Sequence, residues 1–405
     1  MRSESLSQVG THVQISGYDA RFAAEYHVDA FLPFELPTSL TLQESTWLAI
    51  TGAATELGRL DAATGLVPNP RLITRIAARA EAVGTSAIEG TFAELPELYT
   101  TEAIPDGTAA SQAPPRVREV LNYARAAEEA YSWISERPIT IGMLSALQRQ
   151  IVRDTESDGP EAGALRTRQV FVGPRDRPIP EAHYVPPPPG DQMRSLLEQW
   201  ALWLTDPVAV QRIPLVARVA MAHFQFEAIH PYTDGNGRLG RLVVVLQLLR
   251  EGALSQPVLS ISSWLHNSGA AYREELGAVS RTGDWDTWIT FFADAVASAA
   301  RADRARIGRV SQLREEISAI VRDRLPRAAL AREIAEGLID SPVLSVASAK
   351  QRYGRSDQAN RSAIHQLVDA GLLEPHSDAI YRRLYWSPRV FRAISGGAGG
   401  GGAEV

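Results

Sequence analysis

The sequence predicts a mostly α-helical protein with small β elements. Apolar residues recur at helical spacing through most of the 405-residue chain, and Pro and Gly punctuate those stretches at their starts and stops. Only two segments, 163–173 and 372–386, switch to an alternating or strand-like pattern.

Composition bounds the rest. A chain that is 45% hydrophobic and 22% charged can bury two or three cores. It contains no cysteine, which excludes disulfides, thiol catalysis and thiolate metal sites and fits a reducing compartment. The first twenty residues lack an apolar core segment, and 18 apolar residues never run together. Neither a signal peptide nor a membrane span is expected, so a cytoplasmic protein without a membrane partner is. The net charge of −6 argues against a chain built throughout to coat nucleic acid, though not against one basic module. Lys350 is the only lysine, so any phosphate site must use guanidinium groups and backbone amides, and a P-loop lysine is excluded.

In chain order, apolar spacing predicts a helix over 42–60 and a second from Pro70, capped by Asn69 and stopped by Gly90. The polar, breaker-rich stretch 106–115 reads as a linker or exposed loop. Helices are expected over 117–135 and 140–152, then a short β-like segment in GALRTRQVFVG (163–173) and an extended proline run in YVPPPPG (184–190). Helices resume over 191–204, 214–229, 237–250, 269–279 and 285–300. Residues 325–394 read as a separate module of helix, helix, helix and hairpin, resembling a winged helix-turn-helix. Between positions 341 and 392 it carries eight basic residues, Lys350, Arg352, Arg355, Arg361, Arg382, Arg383, Arg389 and Arg392, against four acidic ones. Gln358, Arg361, Ser362 and His365 fall opposite Ile364, Leu367 and Val368 on one predicted helix, where they could meet a DNA groove. Protein docking or a homodimer contact uses such modules as well, and both readings stay open. The glycine-rich tail 395–405 is expected to be disordered.

The chemistry concentrates in HPYTDGNGRLGR (230–241), which opens into the apolar run LVVVLQLLR. Arg238 and Arg241 stand in the first turn of that helix, where unpaired N–H groups already make the end positive. Two cations kept there imply an anion between them. Pro231 forces His230 out of the helical region and ends the preceding helix. The glycines of DGNG let successive amides turn toward one point ahead of the next helix, an anion hole. Asp234, the one carboxylate of the loop, would hold Mg²⁺ beside phosphate oxygens, and His230 is placed to take a proton from an attacking hydroxyl.

HPYTDGNGRLGR is similar to the Fic motif, HPFx[DE]GN[GK]RxxR, at every fixed position except Tyr232, which stands where the family has phenylalanine and must find a partner for its hydroxyl. The likeness covers about 116–301. GALRTRQVFVG resembles the family's flap, which clamps a target by strand addition; this implies target contacts at Arg166, Thr167, Val170, Phe171 and Val172. The resemblance implies a Fic-type helical core over 116–305, a helical region over 1–115, a module over 306–394 and the tail. It implies transfer of AMP from ATP, with Mg²⁺, to a hydroxyl of a target protein or of the chain itself. His230 is then the general base, Asp234 the metal ligand, Gly235, Asn236 and Gly237 the α-phosphate cradle, and Arg238 and Arg241 the β- and γ-phosphate contacts. Tyr272 is implied near the adenine, but Arg273 follows it where many relatives carry a second tyrosine, so UMP or another donor stays open. Gly237 argues against the subgroup that phosphorylates, which typically has lysine there. Finally, TSAIEG resembles the family's inhibitory motif [ST]xxxE[GN], matched by Thr85, Glu89 and Gly90. Glu89, in the last turn of its helix, wants an external cation, and the resemblance implies Arg241. Two alternatives remain: a DNA-binding regulator that uses the core as a nucleotide sensor, and removal of AMP.

Overall fold

A computed structural model describes residues 9–104, 113–174, 176–376 and 383–396. Most of the expected linker 106–115, most of the tail 395–405 and Arg382 lie outside the described residues.

The chain enters the fold as an antiparallel hairpin, β1 (Gly10–Asp19) and β2 (Ala24–Pro33), in register from Gly10↔Pro33 to Asp19↔Ala24. This corrects the expectation of a wholly helical N-terminal region. Val13 and Ile15, and Tyr26, Val28 and Ala30, alternate with exposed polar residues at a period of two, which suits a half-covered pleat and no helix. The hairpin lies against the proline run: the Phe31 amide donates to the Val185 carbonyl at 2.8 Å.

Among the described residues twelve α-helices follow: α1 (Glu44–Gly65), α2 (Pro70–Ile88), α3 (Leu95–Glu102), α4 (Pro115–Trp133), α5 (Ile141–Ile151), α6 (Asp191–Trp203), α7 (Pro207–Arg212), α8 (Leu215–Ile229), α9 (Asn236–Arg250), α10 (Ile261–Asn267), α11 (Ala270–Thr282) and α12 (Trp285–Arg324). α8 and α9 form the centre, buried on nearly every side. That explains why their sequences are apolar without an amphipathic stripe. Two buried indoles, Trp200 and Trp288, each donate to an α8 carbonyl, those of Ala222 and Ala220, at 2.9 Å. Asn69 makes no side-chain cap to α2; Pro70, whose fixed φ suits a first helical turn, starts that helix without it.

α12 is 40 residues long and crosses both the predicted helix end at 300 and the predicted domain boundary at 305. Ile307, Val310, Leu313, Ile317 and Val321 are all buried and keep the helical spacing going, and no proline interrupts it. α12 runs along α1, so the N-terminal region and the chain beyond the core share one rod.

Beyond it come α13 (Ala329–Gly337), β3 (Val343–Ser345), α14 (Val346–Tyr353), α15 (Asp357–Asp369), β4 (Glu374–Pro375), β5 (Leu384–Trp386) and α16 (Pro388–Ser395), with the strands in the antiparallel order β3-β5-β4. Ser356 caps α15, accepting from the Ala359 amide at 3.2 Å. The third strand and α16 were not anticipated. α16 is tied back to α12 by Arg306 and Arg309, which donate to the Ile394 and Ala393 carbonyls at 3.0 and 2.9 Å. Among the described residues no helix is long and apolar enough to cross a membrane.

Candidate active site

The site begins where α8 stops. His230 has φ 49° and ψ 60°, a left-handed conformation that is costly for a side-chain-bearing residue. Buried Arg166 holds it there, donating Nε to the His230 carbonyl at 2.8 Å and a terminal nitrogen to the Pro187 carbonyl at 2.5 Å, while its amide bonds the Pro231 carbonyl at 3.0 Å. Arg166 is therefore a clamp on the catalytic corner and offers no surface to a target, contrary to the expectation that grouped it with the flap. Nδ1 of His230 lies 3.3 Å from the Glu227 carbonyl. A carbonyl can only accept, so Nδ1 carries the proton and Nε2 keeps its lone pair. Withdrawal from water, and then the Arg166 charge, push the imidazole down to about 4; at neutral pH it is an uncharged base.

The loop after His230 is stapled by its own residues. Asn236 accepts from the Tyr232 amide at 2.9 Å and donates to the Tyr232 carbonyl at 2.8 Å. The Tyr232 ring is buried, and its hydroxyl finds Ser145 Oγ at 3.2 Å. Gln148 donates to the Asp234 carbonyl at 2.9 Å. Gly235 sits at φ 80°, where a side chain would strain the turn that starts α9. Asp234 Oδ1 accepts from the Gly235 amide at 2.7 Å, and Oδ2 lies 3.3 Å from Arg238.

The two arginines are both buried and both paired with acids. Arg238 reaches Asp234 at 3.3 Å and Glu119 at 3.4 Å, and its Nε is buried without a partner. Arg241, 2% exposed, donates Nε to Thr85 Oγ1 at 2.7 Å and a terminal nitrogen to Glu89 Oε1 at 2.5 Å and to the Thr85 carbonyl at 3.2 Å. Burial works against its charge, but Glu89, Tyr272 and Glu227 together hold the guanidinium above its ordinary value. Thr85 and Glu89 come from α2 and its C-cap, Arg241 from the second turn of α9: a carboxylate at a negative helix end meets a cation near a positive one. Gly237 makes the approach possible, because a Cβ there would collide with Glu89 Oε1. α2 is aimed by its middle, where buried Glu81 accepts from the Ser262 amide at 2.9 Å and from its hydroxyl, capping α10.

Other expected contacts differ. Residues 163–173 form no strand: Val172 and Tyr184 make a single antiparallel bridge. In that register Val170 and Arg168 would face Pro186 and Pro188, which have no N–H to donate, so the ladder ends after one step. Thr167 is exposed, Val170 and Val172 are half-buried, and Phe171 sets its edge against Tyr26 of β2 at 5.4 Å. Tyr272 is buried with its hydroxyl 2.7 Å from His223 Nε2; it stands behind Arg241 and presents no open ring to a base. Sequence reasoning missed Glu227, an acid in an otherwise apolar helix and one turn before His230. Its Oε1 is buried without a partner, and burial pushes it up to about 7 against the pull of Arg241. It also missed Glu119, one of three acids on α4 and with no motif around it.

Residues 47–132 match the Fic/DOC family N-terminal model, and residues 138–248 match the Fic/DOC family model. Together the two matches span just under half of the chain. The Fic match spans the clamp, the loop and all of α9 except its last two residues. The chain is 33% identical over 156 residues to protein adenylyltransferase Fic of Aedes aegypti, covering 38% of this chain and 27% of that protein. It is 32% identical over 114 residues to protein adenylyltransferase fic-1 of Caenorhabditis elegans, covering 28% of this chain and 20% of that protein. The chain thus matches about a quarter or less of these curated relatives' length. The fold resembles the crystal structure of a Fic family protein from Desulfovibrio desulfuricans, with a TM-score of 0.54 at 21% identity, over 87% of this chain and 98% of that one.

Proposed function

We propose that this Fic chain is a protein adenylyltransferase held at rest by Glu89. The observation that carries the reading is the pair of buried guanidiniums in the first two turns of α9, each partnered by carboxylates of the same chain, beside a neutral histidine whose Nδ1 faces a carbonyl. Such a pair suits phosphate oxygens, and the relatives' name, protein adenylyltransferase, agrees with it.

In the reaction, a target Ser, Thr or Tyr hydroxyl attacks the α-phosphorus of ATP in line, the bond to the β-phosphate oxygen breaks, and pyrophosphate leaves. His230 Nε2 takes the hydroxyl proton. The amides of Gly235 to Gly237 stabilise charge on the α-phosphate, and Arg238 and Arg241 hold the β- and γ-phosphates. Asp234 fits a divalent cation arriving with the nucleotide: it is a hard oxygen donor, partly exposed, with Oδ1 on the Gly235 amide and Oδ2 3.3 Å from Arg238. When bound, Mg²⁺ draws negative charge off the phosphates. The flap residues Thr167, Val170, Phe171 and Val172 are the nearest surface for a target segment. Glu89 occupies Arg241 and so competes with the γ-phosphate. The buried Tyr272 leaves the base unspecified, and UMP transfer belongs to the same reading. The test is incubation of the full chain with MgATP labelled on the α-phosphate. Label appearing on a Glu89→Gly variant but not on His230→Ala is expected; no label on either would refute transfer.

A second reading, DNA binding by residues 325–394 as a winged helix, rests on Gln358, Arg361, Ser362 and His365, which are all exposed on one face of α15. Part of the basic character is locally engaged: Lys350 pairs with Asp357 at 2.8 Å, Arg352 with Asp340, and Arg389 donates to the Gly371 carbonyl at 3.0 Å. A shift of labelled duplex by the full chain at low salt tests it.

A further inference from the structure

Glu119, near the start of α4, has a side chain only 25% exposed, and one of its oxygens serves two donors: Thr91 Oγ1 at 2.8 Å and Arg238 at 3.4 Å. Thr91 is the second residue after Glu89. Its amide donates to the Ser86 carbonyl at 2.9 Å across Gly90, which sits at φ 86°. A single carboxylate oxygen therefore joins the chain leaving the inhibitory helix to the other phosphate-type arginine. Arg238 is poorly satisfied in this arrangement. Its two acidic partners lie at 3.3 and 3.4 Å, against 2.5 Å for Glu89 on Arg241, and its Nε has no partner at all. A triphosphate oxygen would be the better acceptor.

We infer that Glu119 is a second acidic residue of the brake, a positioning residue that anchors the end of α2 through Thr91 while standing against Arg238 where a nucleotide phosphate would bind. This rests on the adenylyltransferase reading and extends it. The brake then has two carboxylates on two arginines: Glu89 blocks Arg241 directly, and Glu119 keeps Glu89 presented by fixing the segment beyond it. Phosphate arriving at Arg238 draws that guanidinium from Glu119, loosens Thr91 and frees the helix end, so that engagement of one arginine favours release of the other.

The experiment uses the full chain, MgATP labelled on the α-phosphate, and amide hydrogen exchange without nucleotide. Thr91→Val and Glu119→Ala are each expected to raise self-labelling by about fivefold, the scale of one net hydrogen bond lost from the resting state, and to speed exchange of the residue-91 amide. Thr91→Ser, which keeps the hydroxyl, stays at the wild-type rate. In a Glu89→Gly background Thr91→Val adds less than about twofold, because partners acting as one unit are not additive. If Glu89→Gly raises labelling while Thr91→Val and Glu119→Ala leave labelling and exchange unchanged, the inference fails and the brake reading stands. Full additivity with Glu89→Gly also overturns it. If Glu89→Gly itself brings no gain, the brake reading fails, and Glu119 is only a structural tie.

Discussion

Removing Glu89 tests the site at its most constrained contact. In Glu89→Gly the Arg241 guanidinium keeps Thr85 but loses its one direct carboxylate at 2.5 Å. A fully buried pair broken this way changes energy by roughly 3–5 kcal/mol. Glu89, however, is 40% exposed, and solvent screens it, so a hydrogen bond between charged groups, about 1.5–3 kcal/mol, is the better scale. In the wild type ATP must displace that carboxylate before its γ-phosphate reaches Arg241; in the variant it meets an unpaired cation. Transfer should rise by about 10- to 100-fold, at roughly 1.4 kcal/mol per factor of ten. The assay is the initial rate of label incorporation, on the chain itself or on a supplied target, at saturating MgATP. Arg241→Ala removes the same pair yet should show no gain, since the phosphate contact goes with it. Equal rates for wild type and Glu89→Gly would refute autoinhibition and leave the catalytic assignment intact. Wild-type chain that strips AMP from a labelled target would reassign Glu89 from brake to catalyst.

His230→Ala in the Glu89→Gly background should lower transfer by about 10²- to 10⁴-fold while ATP binding, measured by calorimetry, persists; retention of most of the rate would end the base assignment. Stability should respond to pH in two windows, read as thermal midpoints. His230 and His223, at about 4 and 3, fold as neutral rings, so their contribution is present above the unfolded value near 6.5 and is lost as pH falls. Glu81 and Glu227, at about 7, fold as protonated acids, so theirs is lost as pH rises above the unfolded value near 4.5. The two pairs oppose each other between 4.5 and 6.5, where little change is expected, and below 4.5 the histidines act alone and the midpoint drops; a steady fall beginning at 6.5 would contradict this balance. If α15 reads duplex, Arg361→Ala should weaken binding and reduce the salt slope by about one if the contact is to phosphate, and no shift by wild type at low salt would remove the reading.

Much of this arrangement was legible because the decisive residues are close in sequence. His230, Asn236, Arg238 and Arg241 belong to one helix-loop-helix corner whose bend is dictated by Pro231 and two glycines, and the misplaced charges of Arg241 and Glu89 each announced a missing partner. The central helices were readable from their period, but α12 runs to Arg324, far past the expected end at 300, and the short α3, α7 and α10 were not read. The hairpin of β1 and β2 carried a period-two signal, in Val13 and Ile15 and in Tyr26 to Ala30, but it is short and half-covered and was overlooked. What could not be read was anything that depends on side chains meeting across the fold. Arg166 looks like a flap residue in sequence and is a clamp in space. Tyr272 has the right place in order but lies behind Arg241. Glu119 is one acid among many until α4 carries it to Thr91 and Arg238.

The question posed by two arginines at the positive end of α9 has an answer at rest. Burying Arg238 and Arg241 beside that helix end is tolerable because Asp234, Glu119 and Glu89 supply the negative charge that a nucleotide would otherwise bring. On the proposed reading the resting site is filled with the chain's own carboxylates, and a change in α2 changes the competition. α2 is held along its length. Its C-terminal end is fixed by Arg241 and by Thr91 on Glu119, its second turn by Arg75, which pairs with Asp340 just beyond α13, and its middle by Arg79, which donates to Glu102 and Glu128 at 2.5 and 2.8 Å. Asp340 is in turn held by Arg352 of α14. The helix that carries Thr85 and Glu89 thus contacts both Arg241 and, through Arg75, the C-terminal module at Asp340.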